Sequence, residues 1–178
     1  MTTKGYPKEI NYRRLQRFLD PCFPLLLGLG QTSPWSIEAV PPAPDLFTFN
    51  LNEIFIYFPI PIRKAAIQKS SATQDTVVID GKHILLMDDP TILDIRREQI
   101  SKLYLEVKLP HNQIPEPAFR SLGVFIIHSV VDIESIKSRC YASYLPSDIN
   151  AIPLYYENFS PIEVQEDVEQ TFKLIIEA

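Results

Sequence analysis

Glycine is scarce in this chain. There are five glycines in 178 residues, about 3% against the usual ~7%. Loops that cradle phosphates need glycine so that the backbone can approach the ligand. Gly28-Leu29-Gly30 opens like a dinucleotide fingerprint, but Gln31-Thr32-Ser33-Pro34 follows in place of a third glycine and a helix. No Gly-x-Ser-x-Gly elbow and no Walker lysine occur. Cysteine is scarce too. Cys22 and Cys140 are too few for a disulfide scaffold and are not spaced as a zinc site. They are expected to be two thiols in a reducing compartment. Long apolar runs are missing: residues 25–29 and 124–127 fall far short of the ~18 residues of a membrane span. The first residues lack the apolar core of a signal peptide. A soluble intracellular product is expected. Positive charge is in deficit, with a net charge of −5. That disfavours a free duplex-DNA binder, though an acidic wall suits a passage through which DNA slides without sticking.

Proline is what the chain has in excess. Sixteen prolines make about 9% of the residues, nearly twice the usual ~5%. Such a chain favours extended segments and rigid turns over helices. The length suits one domain, with or without an arm.

The first twenty residues predict a helix. Pro7 suits a first turn. Tyr12, Leu15, Phe18 and Leu19 share one face of a 3.6-residue period. Arg13, Arg14 and Arg17 fall off that face, toward solvent or a partner. Asp20-Pro21 stops the helix. Residues 34–44 hold Pro34, Pro41, Pro42 and Pro44 and read as an extended arm anchored by Trp35. Two readings of the arm stand: its Trp packs on its own domain, or the segment lies on a neighbouring subunit. Rigid arms lose little entropy when they dock.

From residue 46 the pattern is β. Residues 54–62, with Pro59 and Pro61, predict an edge strand or loop. Residues 76–80 and 83–87 predict a hairpin. Its turn falls at Gly81-Lys82 or, one residue earlier, at Asp80-Gly81. Residues 90–102 are ambiguous. Residues 102–109 alternate strictly, Leu103, Leu105, Val107 and Leu109 against Tyr104, Glu106 and Lys108. Residues 122–131 are apolar on both faces and predict a central strand. Residues 152–156 predict a short strand, 157–161 a turn, and 169–177 a closing strand. The expected fold is mainly β, an antiparallel barrel or sandwich with a short N-terminal helix and an extended arm. Residues 1–45 would form the helix and arm, and 46–178 a single β-rich domain.

The chemistry-bearing residues assemble no reaction centre. His83, His111 and His128 show no metal-pair spacing. His128 reads as an interior strand histidine, His83 as exposed beside a turn and His111 as a loop residue. Asp88-Asp89, with Asp80, is a poor chelate because adjacent side chains on an extended segment diverge. Asp132 and Glu134 have no nucleophile or base beside them. No enzyme activity, metal or cofactor is expected.

Three segments carry a resemblance. The first is residues 25–45, a β-like run with glycine that leads to Pro34-Trp35, a short spacer and Pro41-Pro42-Ala43-Pro44. The second is Ile62-Arg63-Lys64-Ala65 with Val77-Val78-Ile79 and Gly81-Lys82-His83-Ile84-Leu85. The third is residues 154–162, with Asn158-Phe159-Ser160-Pro161-Ile162, and then residues 169–177. Together they resemble structural virion proteins of contractile-tailed bacteriophages, the neck, tail and baseplate-wedge group. The resemblance implies a non-enzymatic subunit, assembled in the host cytoplasm, that forms a homo-oligomeric ring by arm contacts. Its partners would be portal, connector, tube, sheath or baseplate proteins, with no membrane and with DNA at most passing through a channel. A neck or head–tail connector is the first reading and a baseplate wedge component the second. A stand-alone β-barrel that binds a small ligand is the third. The residues expected at subunit interfaces are Arg13, Arg14, Arg17, Trp35, Pro41, Pro42 and Pro44.

Overall fold

Alternating side chains fold here as strands, and the computed structural model is mainly β with two antiparallel sheets and a leading helix. It describes residues 6–43, 54–127 and 151–177. In order, the elements are α1 (Tyr6–Leu19), β1 (Leu25–Gly30), β2 (Ile56–Pro59), β3 (Ile62–Lys69), β4 (Thr76–Ile79) and β5 (Lys82–Met87). Then come α2 (Ile92–Arg97), β6 (Lys102–Leu109), β7 (Ala118–Ile127), β8 (Ala151–Glu163) and β9 (Gln170–Glu177). The expected boundary at residues 45 and 46 lies outside the described residues, as do His128, Asp132, Glu134 and Cys140.

The chain divides into two compact units. One holds Met1–Pro21, Pro61–Glu106 and Lys173–Ala178; the other holds Cys22–Ile60 and Val107–Phe172. The second unit contains the sheet β2-β1-β7-β8. Every residue of β1 is buried, and so is all of β7 after Ala118. That is the price of a central position, since both faces must be apolar. Gly28 pairs with Gly123 on one side and Tyr57 on the other, so Gly28-Leu29-Gly30 opens no loop. The Tyr57 and Phe125 rings meet edge to face, with centroids 5.5 Å apart. β2, which ends at Pro59, is an edge strand as expected.

The expected turn at 157–161 is not formed. β8 runs unbroken through those residues to Glu163. It is the edge strand beside β7, where a proline's missing donor is tolerated. Register shifts at Phe119/Ser121 and Val124/Phe125 absorb the irregularity.

In the first unit, Leu15 and Phe18 are buried beneath α1, and the helix ends before Asp20-Pro21 as expected. The ambiguous stretch contains α2. Thr91 and Asp94 form a reciprocal capping box and Ile95 is buried. The five-stranded sheet runs β4-β5-β3-β6-β9, and β6 and β9 each continue into the other unit. The β4–β5 hairpin turns at Asp80-Gly81, because Ile79 pairs with Lys82. The reading with Gly81-Lys82 as the turn is thereby corrected. Asp80 and Gly81 both have positive φ, 49° and 71°, as a two-residue turn matched to strand twist requires. Tyr104 departs from the polar face expected of it: it is 3% exposed and packs with Ala66 and Ile84. Its hydroxyl donates to Glu106, and burial pushes its pKa up.

Candidate interaction surface

The proline-rich segment is fixed by side chains rather than by a ladder, as four lost backbone donors dictate. Gln31 enters it in the left-handed region at φ 57° and its side-chain amide donates to the Ser33 carbonyl at 2.8 Å. Trp35 Nε1 donates to the Phe159 carbonyl of β8 at 3.0 Å. Asn158 Nδ2 donates to the Pro42 carbonyl at 2.9 Å, and Ser160 Oγ reaches the Glu38 carbonyl at 3.4 Å. Arg120 of β7 is the centre of the set. Its Nε donates to both Glu38 carboxylate oxygens, and its Nη1 donates to the Thr32 carbonyl at 2.6 Å. Trp35 is half-buried and its indole N–H is bonded within its own unit.

The outer side of the same segment differs. The Val40 N–H closes a turn on the Ile37 carbonyl at 3.0 Å. This leaves Ile37 62% and Val40 67% exposed. Pro41 is half-buried and Pro42 exposed. Pro44 lies outside the described residues.

Arg13, Arg14 and Arg17 lie on α1, in the other unit. Arg13 pairs with Glu9 at 3.2 Å, Arg14 is exposed and Arg17 is half-buried. Glu9 also accepts from Arg96 of α2, with Nε at 3.0 Å. Hydrogen bonding from Arg96 holds the Glu9 carboxyl below its ordinary range. The structure thus brings Trp35, Pro41 and Pro42 together on one unit, and the three arginines together on the other.

The acidic residues considered for a cation are dispersed. Asp88 pairs with Lys64 at 2.9 Å. Among the described residues, no three His, Cys, Asp or Glu side chains are grouped to hold a metal. His83 is half-buried in β5 rather than exposed, opposite Val78, with a buried Nδ1 that has no partner among the described residues. His111 begins a 3-10 turn, His111–Gln113. No helix among the described residues is long and apolar enough to cross a membrane.

Glu38, Arg120 and Asn158 were not anticipated as the residues that shape this surface. Arg120 carries a signal, a lone cation inside the apolar run Phe119 to Ile127. Such a charge must find a partner when buried. Nothing in the sequence pattern names Glu38 as that partner.

The comparisons agree with the virion resemblance. The chain is 27% identical over 157 residues to "Virion protein 3" of Enterococcus phage phiEF24C, covering 85% of this chain and 82% of that protein. The family model described as "Baseplate wedge 3 tail fiber network component" matches residues 23–178. The matched stretch contains the whole arm and both sheets. This chain is a phage structural virion protein and belongs to the baseplate wedge 3 tail fiber network component family.

Proposed function

We propose that the chain is a non-enzymatic baseplate wedge subunit that joins its neighbours through the outer face of residues 34–43. The observation that carries this is the two-sidedness of the arm. Arg120, Asn158 and the Trp35 indole pin its inner side, while Ile37 and Val40 stand in solvent. A rigid apolar edge that is already ordered loses little entropy on docking. Arg13, Arg14 and Arg17 supply a second contact, of opposite chemistry, for acidic neighbours. Copies that repeat such heterologous contacts around an axis close into a ring, with assembly in the host cytoplasm.

The test is a complementation assay in infected cells with Ile37→Asp/Val40→Asp. The variant is expected to match the wild type in thermal unfolding and to be missing from purified particles. Incorporation at the wild-type level would overturn the arm reading. Gold labelling of a tagged chain locates it in the particle. Label at the baseplate supports the wedge position; label at the neck would replace it with the connector reading.

A further inference from the structure

We infer that β4 is an open docking edge for an extended segment of another protein, apolar at its centre and basic at both ends. Among the described residues, β4 is the last strand of the five-stranded sheet. Ile79 and Lys82 close the hairpin, so they exchange hydrogen bonds across it. The alternation of an antiparallel ladder then turns the N–H and C=O of Val78, and the C=O of Thr76, to the outer edge. The Thr76 N–H is already used by the Thr73 carbonyl at 3.2 Å.

Edges of this kind are usually blunted by lysine, proline or a bulge. The sequence Thr76-Val77-Val78-Ile79 has no lysine or proline, and its register with β5 is unbroken. Val77 is 43% and Val78 64% exposed. β-Branched residues in solvent on a strand that is paired on one side only among the described residues fit strand addition, in which main-chain bonds bind and alternate side chains select.

Charge selects the occupant. Exposed Asp75 and Asp80 bracket β4. In either hydrogen-bonded antiparallel register of two copies, Asp80 of one falls within a residue of Asp75 of the other. Acid meets acid at both ends, which disfavours a second copy. A strand with Lys or Arg at its ends meets both carboxylates. Lys82 flanks the turn on β5, so the Asp75 end carries the larger share of the discrimination. The inference uses none of the arm residues, so it and the proposed function can each fail alone.

The experiment measures fluorescence anisotropy of the full chain with two labelled peptides, Lys-Val-Thr-Val-Thr-Lys and its Glu-flanked twin. The basic peptide is expected to bind about tenfold tighter or more, with the gap narrowing as salt rises. Val78→Pro removes the outward donor without touching the ladder to β5, and should weaken binding by about tenfold. Val78→Lys keeps the backbone and should also weaken it. Asp75→Lys should reverse the preference between the twins. Equal binding of the twins, no binding at about 1 mM, or unchanged binding by both Val78 variants would overturn the inference. So would a dimer in sedimentation that Val78→Lys dissociates, since the occupant would then be a second copy.

Discussion

Arg120 on β7 grips both carboxylate oxygens of Glu38, 82 residues earlier, with Nε at 2.9 and 3.1 Å and Nη2 at 2.8 Å. The Arg120 side chain is 11% exposed and the Glu38 side chain 38%. The pair therefore lies between the surface case, worth little, and the buried case, where losing one partner strands the other. Glu38→Ala should cost about 1–3 kcal/mol, because the guanidinium keeps only the Thr32 carbonyl among these contacts. Arg120→Met removes the stranded charge. The double variant should then cost less than the sum of the two single ones in urea unfolding. Strict additivity would mean that the pair contributes nothing to holding the arm.

Trp35 acts on the inner side of the arm. Trp35→Phe keeps an aromatic ring but leaves the Phe159 carbonyl without this donor, a loss of about 0.5–1.5 kcal/mol. Trp35→Ala should cost more, since it also removes packing. The comparison with Ile37→Asp/Val40→Asp is the useful one. Inner-side changes should lower the stability of the isolated subunit, and outer-side changes should lower incorporation into particles. A Trp35→Ala subunit of full stability that fails only in assembly would move the indole to the intersubunit side.

Two carboxylates on the α1 and α2 elements set an acid limit. Glu9 is held below its ordinary 4.5, first by the hydrogen bond from Arg96. Asp94 is held below its ordinary 3.8, first by the Thr91 hydroxyl and then by the Thr91 backbone N–H. A depressed folded-state pKa means that the unfolded chain takes up the proton first. The stabilisation is therefore whole above these ordinary values and is lost as pH falls below them. Protection of the Thr91 and Asp94 amides, measured against their intrinsic exchange rates at each pH, should hold at neutral pH and fall on acidification below about pH 4. Asp94→Asn should flatten that dependence. An unchanged profile would show that the capping box does not hold the helix.

How much of this was legible depended on the kind of signal. β6 lies where strict alternation and Pro110 put it, because a period of two and a missing donor are local facts. The pattern over residues 90–102 leaves α2 open, because its signal is a capping box, Thr91 with Asp94, and only Ile95 of the helix is buried. The sequence ends the strand at Tyr156 and puts a turn at 157–161, because Pro161 reads as turn chemistry; on the edge strand β8 a proline is tolerated and the strand runs on. The hairpin offered two registers, and Asp80 decides between them by accepting positive φ beside Gly81. The arm was visible through its prolines and Trp35. Its inner and outer sides were not, because Arg120 and Glu38 meet only after β7 is in place, and a long-range ion pair leaves no periodicity to read.

The turn that presents β4 should be sensitive to backbone strain alone. Gly81 has φ 71°, and a Cβ built there meets nothing within 4 Å. Substitution therefore brings no steric clash, and its cost is the left-handed backbone itself. Gly81→Ala should cost about 1–2 kcal/mol, and Gly81→Asn less, because Asn tolerates that region. Gly81→Val should cost most, since a β-branched residue is a genuine outlier there. The loss should be local, because β4 pairs with β5 at the end of the sheet order. Exchange at Ile79 and Lys82 should then rise well before exchange at Leu103, which is fully buried in β6. If Gly81→Ala instead matched the wild type in unfolding and in exchange, the turn would not require positive φ.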